Sequence, residues 1–152
     1  MTGSERMKER PIGHLVEALN SIGADINYLE KDGFPPLAIN GKALEGGKVD
    51  IFTSVSSQFV SALLLIAPTL KKGLSLSLKG EVLSKPYIKM TLDMMRYFGI
   101  QSSWTNNTIE VEPQNYVSKD LKVESDWSAL AFILQAMSIA KSAQVTISGL
   151  SK

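Results

Sequence analysis

The fold of this chain is decided by Val49-Asp50-Ile51-Phe52-Thr53-Ser54-Val55-Ser56-Ser57-Gln58-Phe59-Val60, a stretch that continues into an apolar run ending at Pro68. The pattern predicts a strand over Val49 to Phe52, followed by an almost wholly apolar helix. This order places Ser56, Ser57 and Gln58 at a helix N-terminus, where free amides and the helix dipole favour a phosphate or carboxylate. The alternative, a plain serine N-cap on a buried helix, fits the local pattern equally well.

The composition excludes several classes of protein. Sixteen basic residues stand against fifteen acidic ones among 152, so no broad attraction to nucleic acid or a membrane is expected. The absence of cysteine and the single histidine, His14, exclude disulfides, thiolate metal sites and multi-histidine metal sites. We interpret His14 as a surface or packing residue. The longest apolar run, Ala62 to Ala67, is too short to span a bilayer. No signal peptide is recognisable, so a cytoplasmic location is expected.

Hydrophobic periodicity and turn residues predict the remaining elements. Pro11 suits the first position of a helix that ends at Gly23, and it leaves Arg10 in the loop before that helix. Alternating leucines predict a strand over 74–78, and the segment 84–87 opens a helix that ends at Gly99. The other predicted elements are strands at 24–29, 37–39, 102–105, 109–111, 122–124 and 145–148, and a buried helix at 127–141.

The predicted elements repeat in order along the chain. A helix–strand–strand group and a strand–helix–strand group each occur twice. Similar residues stand at matching starts and ends of the predicted elements. The matched pairs are Arg10-Pro11 with Lys85-Pro86, Gly23 with Gly99, Ser57 with Asp126, and Gly80 with Gly149. The chain is therefore expected to begin and end within a repeating pattern, which predicts an α/β (α+β) repeat fold in a piece of a larger protein.

Four segments together resemble the EPSP synthase family, the 3-phosphoshikimate 1-carboxyvinyltransferases of the shikimate pathway. They are Arg6-Met7-Lys8-Glu9-Arg10-Pro11-Ile12-Gly13, Ser54-Val55-Ser56-Ser57-Gln58-Phe59, Ser84-Lys85-Pro86-Tyr87-Ile88 and Val123-Glu124-Ser125-Asp126-Trp127-Ser128. Their order and spacing match the middle third of that family. The sequence departs from the family pattern at Ser125, where Gly is usual, and at Ala129, where a second hydroxyl is common.

The resemblance implies a fold of two similar domains, each built from three βαβαββ units, in an inside-out α/β barrel. Residues 1–122 are then expected to belong to the domain that binds shikimate 3-phosphate. They comprise a helix and hairpin over 1–45 and a complete βαβαββ unit over 46–122. Residues 123–152 are expected to be the opening strand–helix–strand of the second domain.

The resemblance also implies a reaction. The enolpyruvyl group of phosphoenolpyruvate (PEP) moves to the 5-hydroxyl of shikimate 3-phosphate and phosphate is released, a step in aromatic amino acid biosynthesis. The family requires no metal or other cofactor. Its acid–base groups match no position among these 152 residues, so no catalytic residue is assigned and the chain alone is expected to be inactive.

The same resemblance assigns binding roles. The residues that match contacts to shikimate 3-phosphate are Ser56, Ser57, Gln58, Ser84 and Tyr87. Arg10 and Gln58 match contacts to PEP, and a planar guanidinium suits carboxylate and phosphate oxygens. Simpler interpretations remain open: Ser84 as a helix N-cap, Tyr87 as a half-buried helix aromatic, and Arg10 as a solvated charge.

Two other functions remain open as well. The sister family that transfers enolpyruvate to a UDP-linked amino sugar shares the fold. A non-catalytic α/β repeat could also serve as a binding module, because fold does not fix function. The expected partners are the two small-molecule substrates, without nucleic acid or membrane. The apolar helix at 127–141 and the open strand edges at both ends further predict self-association.

Overall fold

A computed structural model describes residues 1–52, 56–82, 84–123 and 125–150. The chain divides into two compact units, the first ending at Ser118 and the second beginning at Lys119. The elements of the first unit are α1 (Glu5–Lys8), α2 (Gly13–Ser21), β1 (Asp25–Tyr28), β2 (Leu37–Asn40), β3 (Gly47–Phe52), α3 (Ser57–Ile66), a 3-10 turn (Ala67–Thr69), β4 (Leu74–Lys79), α4 (Lys85–Tyr97), β5 (Ser103–Thr105) and β6 (Thr108–Val111). The second unit contains α5 (Trp127–Ile139).

Helix α2 and the antiparallel hairpin β1–β2 form a small cluster at the start of the chain. Gly23 follows the helix with a φ of 103°, in the left-handed region that residues with a side chain rarely adopt. Val16, Ile26 and Leu37 form the core that joins the helix to the hairpin. The predicted helix and both strands are confirmed, with ends shifted by one or two residues. The placement of Pro11 at the first helical position is wrong, because α2 begins at Gly13 with Ile12 as its N-cap.

The strands β3 to β6 form a four-stranded sheet in the order β3-β4-β6-β5. β3 and β4 are parallel, joined by α3 as a crossover helix, whereas β6 is antiparallel to both β4 and β5. The chain order β3-α3-β4-α4-β5-β6 is that of a βαβαββ unit. The predicted α/β fold class is therefore confirmed.

The main core lies between this sheet and helices α3 and α4. Val60, Leu63 and Leu64 of α3 are 0% exposed, as are Leu76 of β4 and Ile109 of β6. Burial of this kind contributes about 1.5–3 kcal/mol for each large apolar side chain. The alternating leucines of β4 direct one face of the sheet into this core, as the sequence pattern predicts.

Helices α3 and α4 lie side by side. The Oγ atom of Ser61 and the Oγ1 atom of Thr91 are 2.7 Å apart, which joins the two helices at their second turns. Each helix follows the carboxyl end of one of the two parallel strands. The N-termini of both helices therefore lie at the same edge of the sheet, the edge at which open α/β sheets bind ligands.

The second unit differs from the prediction. The strands predicted at 122–124 and 145–148 do not form in the residues that the structure describes there, and Glu124 lies outside them. A strand needs a neighbour for its ladder of hydrogen bonds. In this unit one backbone bond, from Ser125 N to Gly149 O at 2.8 Å, joins the two segments. Those two strand predictions are wrong because a sequence pattern cannot show whether a partner strand is present.

The prediction that the helix at 127–141, observed as α5, is buried is also wrong. Of the residues of α5, Leu130 is buried, at 8% exposed, whereas Phe132 and Ile139 are 75% and 85% exposed. A helix that is apolar on nearly every face needs neighbours on every side. The strands that would provide them are absent from the described part of the second unit.

Helix α1 was not predicted, because four residues are too few to show a period. It begins after Ser4 and is braced by an ion pair between Lys8 Nζ and Glu5 Oε1 at 3.2 Å. The hydrogen bond and negative charge of Glu5 raise the pKa of Lys8. This short turn leads directly into the loop that carries Arg10.

Candidate functional site

The N-terminus of α3 is built by Ser56. Its backbone is extended, with φ −168° and ψ 126°, and its side-chain oxygen accepts a hydrogen bond from the backbone amide of Gln58 at 3.2 Å. Ser56 is therefore the N-cap of a helix whose Val60, Leu63 and Leu64 are fully buried. Thr53, Ser54 and Val55, which precede it in the deciding stretch, lie outside the described residues.

The cap leaves a defined set of donors for a ligand. The amide of Gln58 is bonded to the Ser56 side chain, and the amide of Phe59 donates to the Ser56 carbonyl oxygen at 3.3 Å. The Ser57 amide has no hydrogen-bond partner in the described part of the chain. The Ser56 hydroxyl still has its own proton to donate, since an accepting hydroxyl keeps its O–H. Capping and anion binding are thus compatible at this residue.

The loop that carries Arg10 is held at two points. The Arg10 amide donates to the Met7 carbonyl oxygen at 3.2 Å, and the Ile12 amide donates to the Gly33 carbonyl oxygen at 2.8 Å. Gly13 allows the second contact, because a Cβ atom there would lie 3.3 Å from the Gly33 Cα atom. Arg10 lies in the loop before α2, as predicted.

Arg10, Ser56 and Gln58 line one cavity of about 520 Å³. The described residues that line it are Met1, Thr2, Gly3, Met7, Arg10, Pro11, Ile12, Pro35, Ser56, Gln58 and Phe59. Among them Arg10 carries the one charged side chain, and none is acidic. The Arg10 guanidinium has no ion-pair partner within the described residues. A guanidinium fork, a hydroxyl and a carboxamide around an apolar hollow suit a small organic anion.

The N-terminal segment forms one wall of this cavity. Met1 and Leu37 exchange two backbone hydrogen bonds, from Met1 N to Leu37 O at 2.6 Å and from Leu37 N to Met1 O at 2.8 Å. This pairing holds residues 1–3 beside β2, and Pro35 lines the cavity from the loop before that strand. None of these wall residues was predicted. Their side chains carry no motif, and the contacts that gather them join distant parts of the chain.

Three predicted residues are not among those lining the cavity: Ser57, Ser84 and Tyr87. Ser84 occupies the N-cap position of α4, and its carbonyl oxygen accepts from the Tyr87 amide at 3.1 Å, but its side chain makes no capping bond. Tyr87 is 62% exposed, so the simpler interpretation of a half-buried aromatic is wrong. The structure places both residues at the sheet edge that also carries Ser56.

His14 lies beside a second cavity of about 480 Å³, away from Arg10. Its Nδ1 atom is 3.7 Å from Glu17 Oε2, and its ring centroid lies 6.1 Å from that of Phe52. The interpretation of His14 as a surface packing residue agrees with these contacts. No cluster of three or more potential metal-ligating side chains occurs among the described residues. None of the helices that the structure describes has the length and apolar character needed to cross a membrane.

Comparison with known proteins identifies a family. A family model described as EPSP synthase (3-phosphoshikimate 1-carboxyvinyltransferase) matches residues 1–152. A Bacteroides fragilis protein named 3-phosphoshikimate 1-carboxyvinyltransferase is 47% identical over 151 residues, which are 99% of this chain and 37% of that protein. A Shewanella piezotolerans protein of the same name is 46% identical over 156 residues, covering 100% of this chain and 36% of that protein.

Structural comparison gives the same result. EPSP synthase from Acinetobacter baumannii superposes with a TM-score of 0.70 and 26% identity, covering 94% of this chain and 32% of that one. The chain thus spans little more than a third of the length of the curated relatives it matches. The family model matches the whole chain, and the resemblance in the four segments of the sequence is confirmed. This chain belongs to the EPSP synthase family.

Proposed function

We propose that this chain provides part of the substrate-binding surface of an enolpyruvyl transferase that acts on shikimate 3-phosphate and PEP. The observation that carries the proposal is that Arg10, Ser56 and Gln58 line one cavity without an acidic neighbour among its described lining residues. These residues come from the loop before α2 and from the N-terminus of α3, which are nearly fifty positions apart, yet they line one space large enough for small anions. The names of the relatives favour shikimate 3-phosphate over a UDP-linked amino sugar.

Four residues of the site can be divided between the two anionic substrates by their chemistry. In the proposed complex, Arg10 binds the carboxylate or phosphate of PEP through parallel N–H donors. The Ser56 hydroxyl and the open Ser57 amide donate to the phosphate of shikimate 3-phosphate. Gln58 carries both a donor and an acceptor, so it can bond to either substrate and fix their relative position. Holding two reactants in this way lowers the entropic part of the barrier.

The acid–base step is assigned to none of these residues. In the reaction proposed for the longer protein, the PEP methylene carbon gains a proton while the substrate 5-hydroxyl attacks the adjacent carbon. Phosphate then leaves the tetrahedral intermediate and the methyl carbon loses a proton. This restores the carbon–carbon double bond, now as part of an enol ether. Within this chain we assign positioning to Arg10, Ser56 and Gln58, and we expect the chain alone to release no phosphate from the two substrates.

Two parts of the proposal concern organisation. Residues 1–122 and 123–152 are assigned to different domains of the longer protein, and the division of the chain after Ser118 supports this. We also propose that the isolated chain self-associates, because several large side chains of α5 are exposed.

The test is an NMR titration of the ¹⁵N-labelled chain with shikimate 3-phosphate and, separately, with PEP. We expect millimolar affinity, because an incomplete site loses several kcal/mol, at about 1.4 kcal/mol for each tenfold change in Kd. Shikimate 3-phosphate should shift the amides of Ser57 and Gln58. Arg10→Ala should abolish the shifts caused by PEP and change those caused by shikimate 3-phosphate less than twofold.

Arg96→Ala is the matched control. Arg96 is an exposed arginine whose Nη1 atom pairs with Asp93 at 3.1 Å, and it does not line the cavity. It should change neither titration. Equal shifts from shikimate 3-phosphate, shikimate and inorganic phosphate would reject specific recognition. Equal loss of both ligands in Arg10→Ala, with an unchanged spectrum for the buried core, would reject the assignment of PEP to Arg10.

A further inference from the structure

The loop that carries Arg10 meets the loop of the β1–β2 hairpin, residues 29–36, at two glycines. Beside the bond from the Ile12 amide to the Gly33 carbonyl oxygen, Gly13 faces the backbone of Gly33 directly. A Cβ atom on Gly13 would lie 3.3 Å from the Gly33 Cα atom and 3.9 Å from its carbonyl oxygen. We call this approach the two-glycine contact. Its spacing is undisturbed only while position 13 carries no side chain.

The hairpin loop is braced by its own contacts. Gly33 has a φ of 84°, in the left-handed region that suits glycine. The Leu29 amide donates to the Pro36 carbonyl oxygen at 3.0 Å, and the Phe34 amide donates to the Lys31 carbonyl oxygen at 3.1 Å. The Lys31 Nζ atom also lies 4.2 Å from the centroid of the Phe34 ring. The loop is therefore a fixed support for the residues that contact it.

Tyr28, the last residue of β1, reaches the two-glycine contact from a third side. Its ring packs against the small core that joins α2 to the hairpin. Its hydroxyl oxygen would lie 3.6 Å from a Cβ atom on Gly13. Burial raises the pKa of Tyr28, as do the charges of Glu17 and Asp32, while a backbone hydrogen bond with Gly33 acts in the opposite direction. The hydroxyl thus touches both loops, and the ring is anchored in the core.

We propose that Tyr28 is a positioning residue for PEP, which holds Arg10 in place through the two-glycine contact. This role rests on the proposed function, because it concerns how the PEP-binding guanidinium is placed. Tyr28 is not among the described residues that line the cavity with Arg10. It therefore acts through the loop that carries Arg10 and does not touch the ligand.

The path from the two-glycine contact to Arg10 is short and stiff. Pro11 alone separates Arg10 from Ile12, whose amide is bonded to the hairpin loop. The ring of Pro11 fixes its φ angle, so a displacement of Ile12 moves Arg10 with it. On its other side, the Arg10 amide is bonded to the Met7 carbonyl oxygen at 3.2 Å. A misplacement of about 1 Å in a binding group can cost an enzyme about 100-fold in rate, so a small movement is sufficient.

Two substitutions test this role in the NMR titrations described above. Tyr28→Phe removes the hydroxyl and keeps the ring. It should raise the Kd for PEP roughly fivefold and change that for shikimate 3-phosphate less than about twofold. Gly13→Ala should have the same effect, because the new Cβ atom separates the two loops. Since α2 begins at Gly13 and alanine favours a helix, weaker PEP binding in this variant cannot be attributed to a less stable helix.

Tyr116→Phe is the matched control. The Tyr116 hydroxyl donates to the Leu65 carbonyl oxygen at 2.9 Å and lies outside the cavity with Arg10. Its loss should lower stability about as much as the loss of the Tyr28 hydroxyl and leave both Kd values unchanged. Equal weakening of PEP binding in the two variants would overturn the positioning role. PEP binding that is lost in Arg10→Ala but unchanged in Tyr28→Phe and Gly13→Ala would overturn it too, while the proposed function would stand.

Hydrogen exchange of the Ile12 amide tests the same role without a ligand. This amide should exchange roughly fivefold faster in Tyr28→Phe than in the unmodified chain, and at an unchanged rate in Tyr116→Phe. The measurement decides whether Tyr28 holds the loop even if the unmodified chain binds no PEP, a result that would reject the proposed function. An unchanged exchange rate of Ile12 in Tyr28→Phe would overturn the positioning role.

Discussion

Helices α3 and α5 begin in the same way and end in different environments. Ser56 caps the first and Asp126 caps the second, each by accepting a bond from the amide two residues later, at 3.2 Å and 2.8 Å. Both helices are almost wholly apolar. Yet α3 places Val60, Leu63 and Leu64 entirely out of solvent, while α5 buries Leu130 alone among its own residues. Apolar composition therefore creates the need for burial, and neighbouring strands decide whether that need is met.

A matched pair of leucine substitutions tests most directly whether α3 and α5 differ in packing. Leu63→Ala in α3 should lower the free energy of unfolding by about 2–5 kcal/mol, because it leaves a cavity in a packed core. Leu134→Ala in α5, where the side chain is half-exposed, should cost less than about 1 kcal/mol. Urea denaturation followed by far-UV circular dichroism measures both. Equal losses would show that α5 is as well packed in solution as α3.

Substitutions at the two N-cap residues should have a smaller effect, and they test whether the two helices unfold separately. Ser56→Ala should lower the free energy of global unfolding by about 1 kcal/mol, because α3 belongs to the main core. Asp126→Ala should leave global unfolding unchanged and instead raise amide exchange in the first turn of α5 about fivefold, the equivalent of about 1 kcal/mol.

Ser56→Asp is the control for the first cap, since it retains an accepting oxygen and should preserve most of the stability. A global loss of stability in Asp126→Ala as large as that in Ser56→Ala would mean that the two units unfold together. The two helices would then differ in solvent exposure, but they would unfold in the same cooperative step.

The smallest expected effect concerns pH. Lys71 Nζ lies 2.6 Å from Glu45 Oε1 and Lys72 Nζ lies 3.5 Å from Oε2, and the hydrogen bond and charge of Lys71 lower the pKa of Glu45 below 4.5. The ionised carboxylate thus stabilises the first unit above about pH 4.5, and this contribution is lost as the pH falls through the lowered pKa. The pair is solvent-exposed, so the effect is small.

Glu45→Gln should therefore flatten the fall in the melting temperature of the first unit between about pH 5 and 3. The helical signal of α5 should not respond to this substitution, because Glu45, Lys71 and Lys72 belong to the sheet-bearing unit. If the melting temperature of Glu45→Gln falls with pH as steeply as that of the unmodified chain, other carboxylates account for the fall.

Apart from α1 and the 3-10 turn, the elements up to Val111 were predictable because each carries its own local signal. Leu74, Leu76 and Leu78 alternate with polar residues, and Gly23 and Gly99 stop helices with φ values of 103° and 91°. The predicted repeat is confirmed for the helix–strand–strand group, as α2-β1-β2 and α4-β5-β6, but among the described residues the second strand–helix–strand group retains only its helix, α5, and the cap equivalent to Asp126 is Ser56 rather than Ser57. The strands at 122–124 and 145–148 failed, since pairing depends on residues elsewhere.

The candidate site was predictable only through resemblance. Arg10, Ser56 and Gln58 were identified from motifs, and the structure brings them to one cavity. Thr2 and Pro35 complete its wall without any pattern that marks them, because tertiary contacts alone set their positions. The capping bond expected for Ser84 is absent, although the residue occupies the cap position. The motif thus predicted that Ser84 lies at the N-cap position, but it did not predict whether the side chain makes the capping bond.

The strand order β3-β4-β6-β5 has a consequence for synthesis on the ribosome. β4 is a central strand, but its second neighbour, β6, is made about thirty residues later, after α4 and β5. At typical elongation rates this interval lasts about 2–6 s. During that time the edge of β4 that later pairs with β6 exposes unpaired backbone N–H and C=O groups to other nascent chains. The hairpin β5–β6 therefore acts as a late closing step, and a pause in translation before residue 108 would prolong the interval in which this chain is most prone to aggregate.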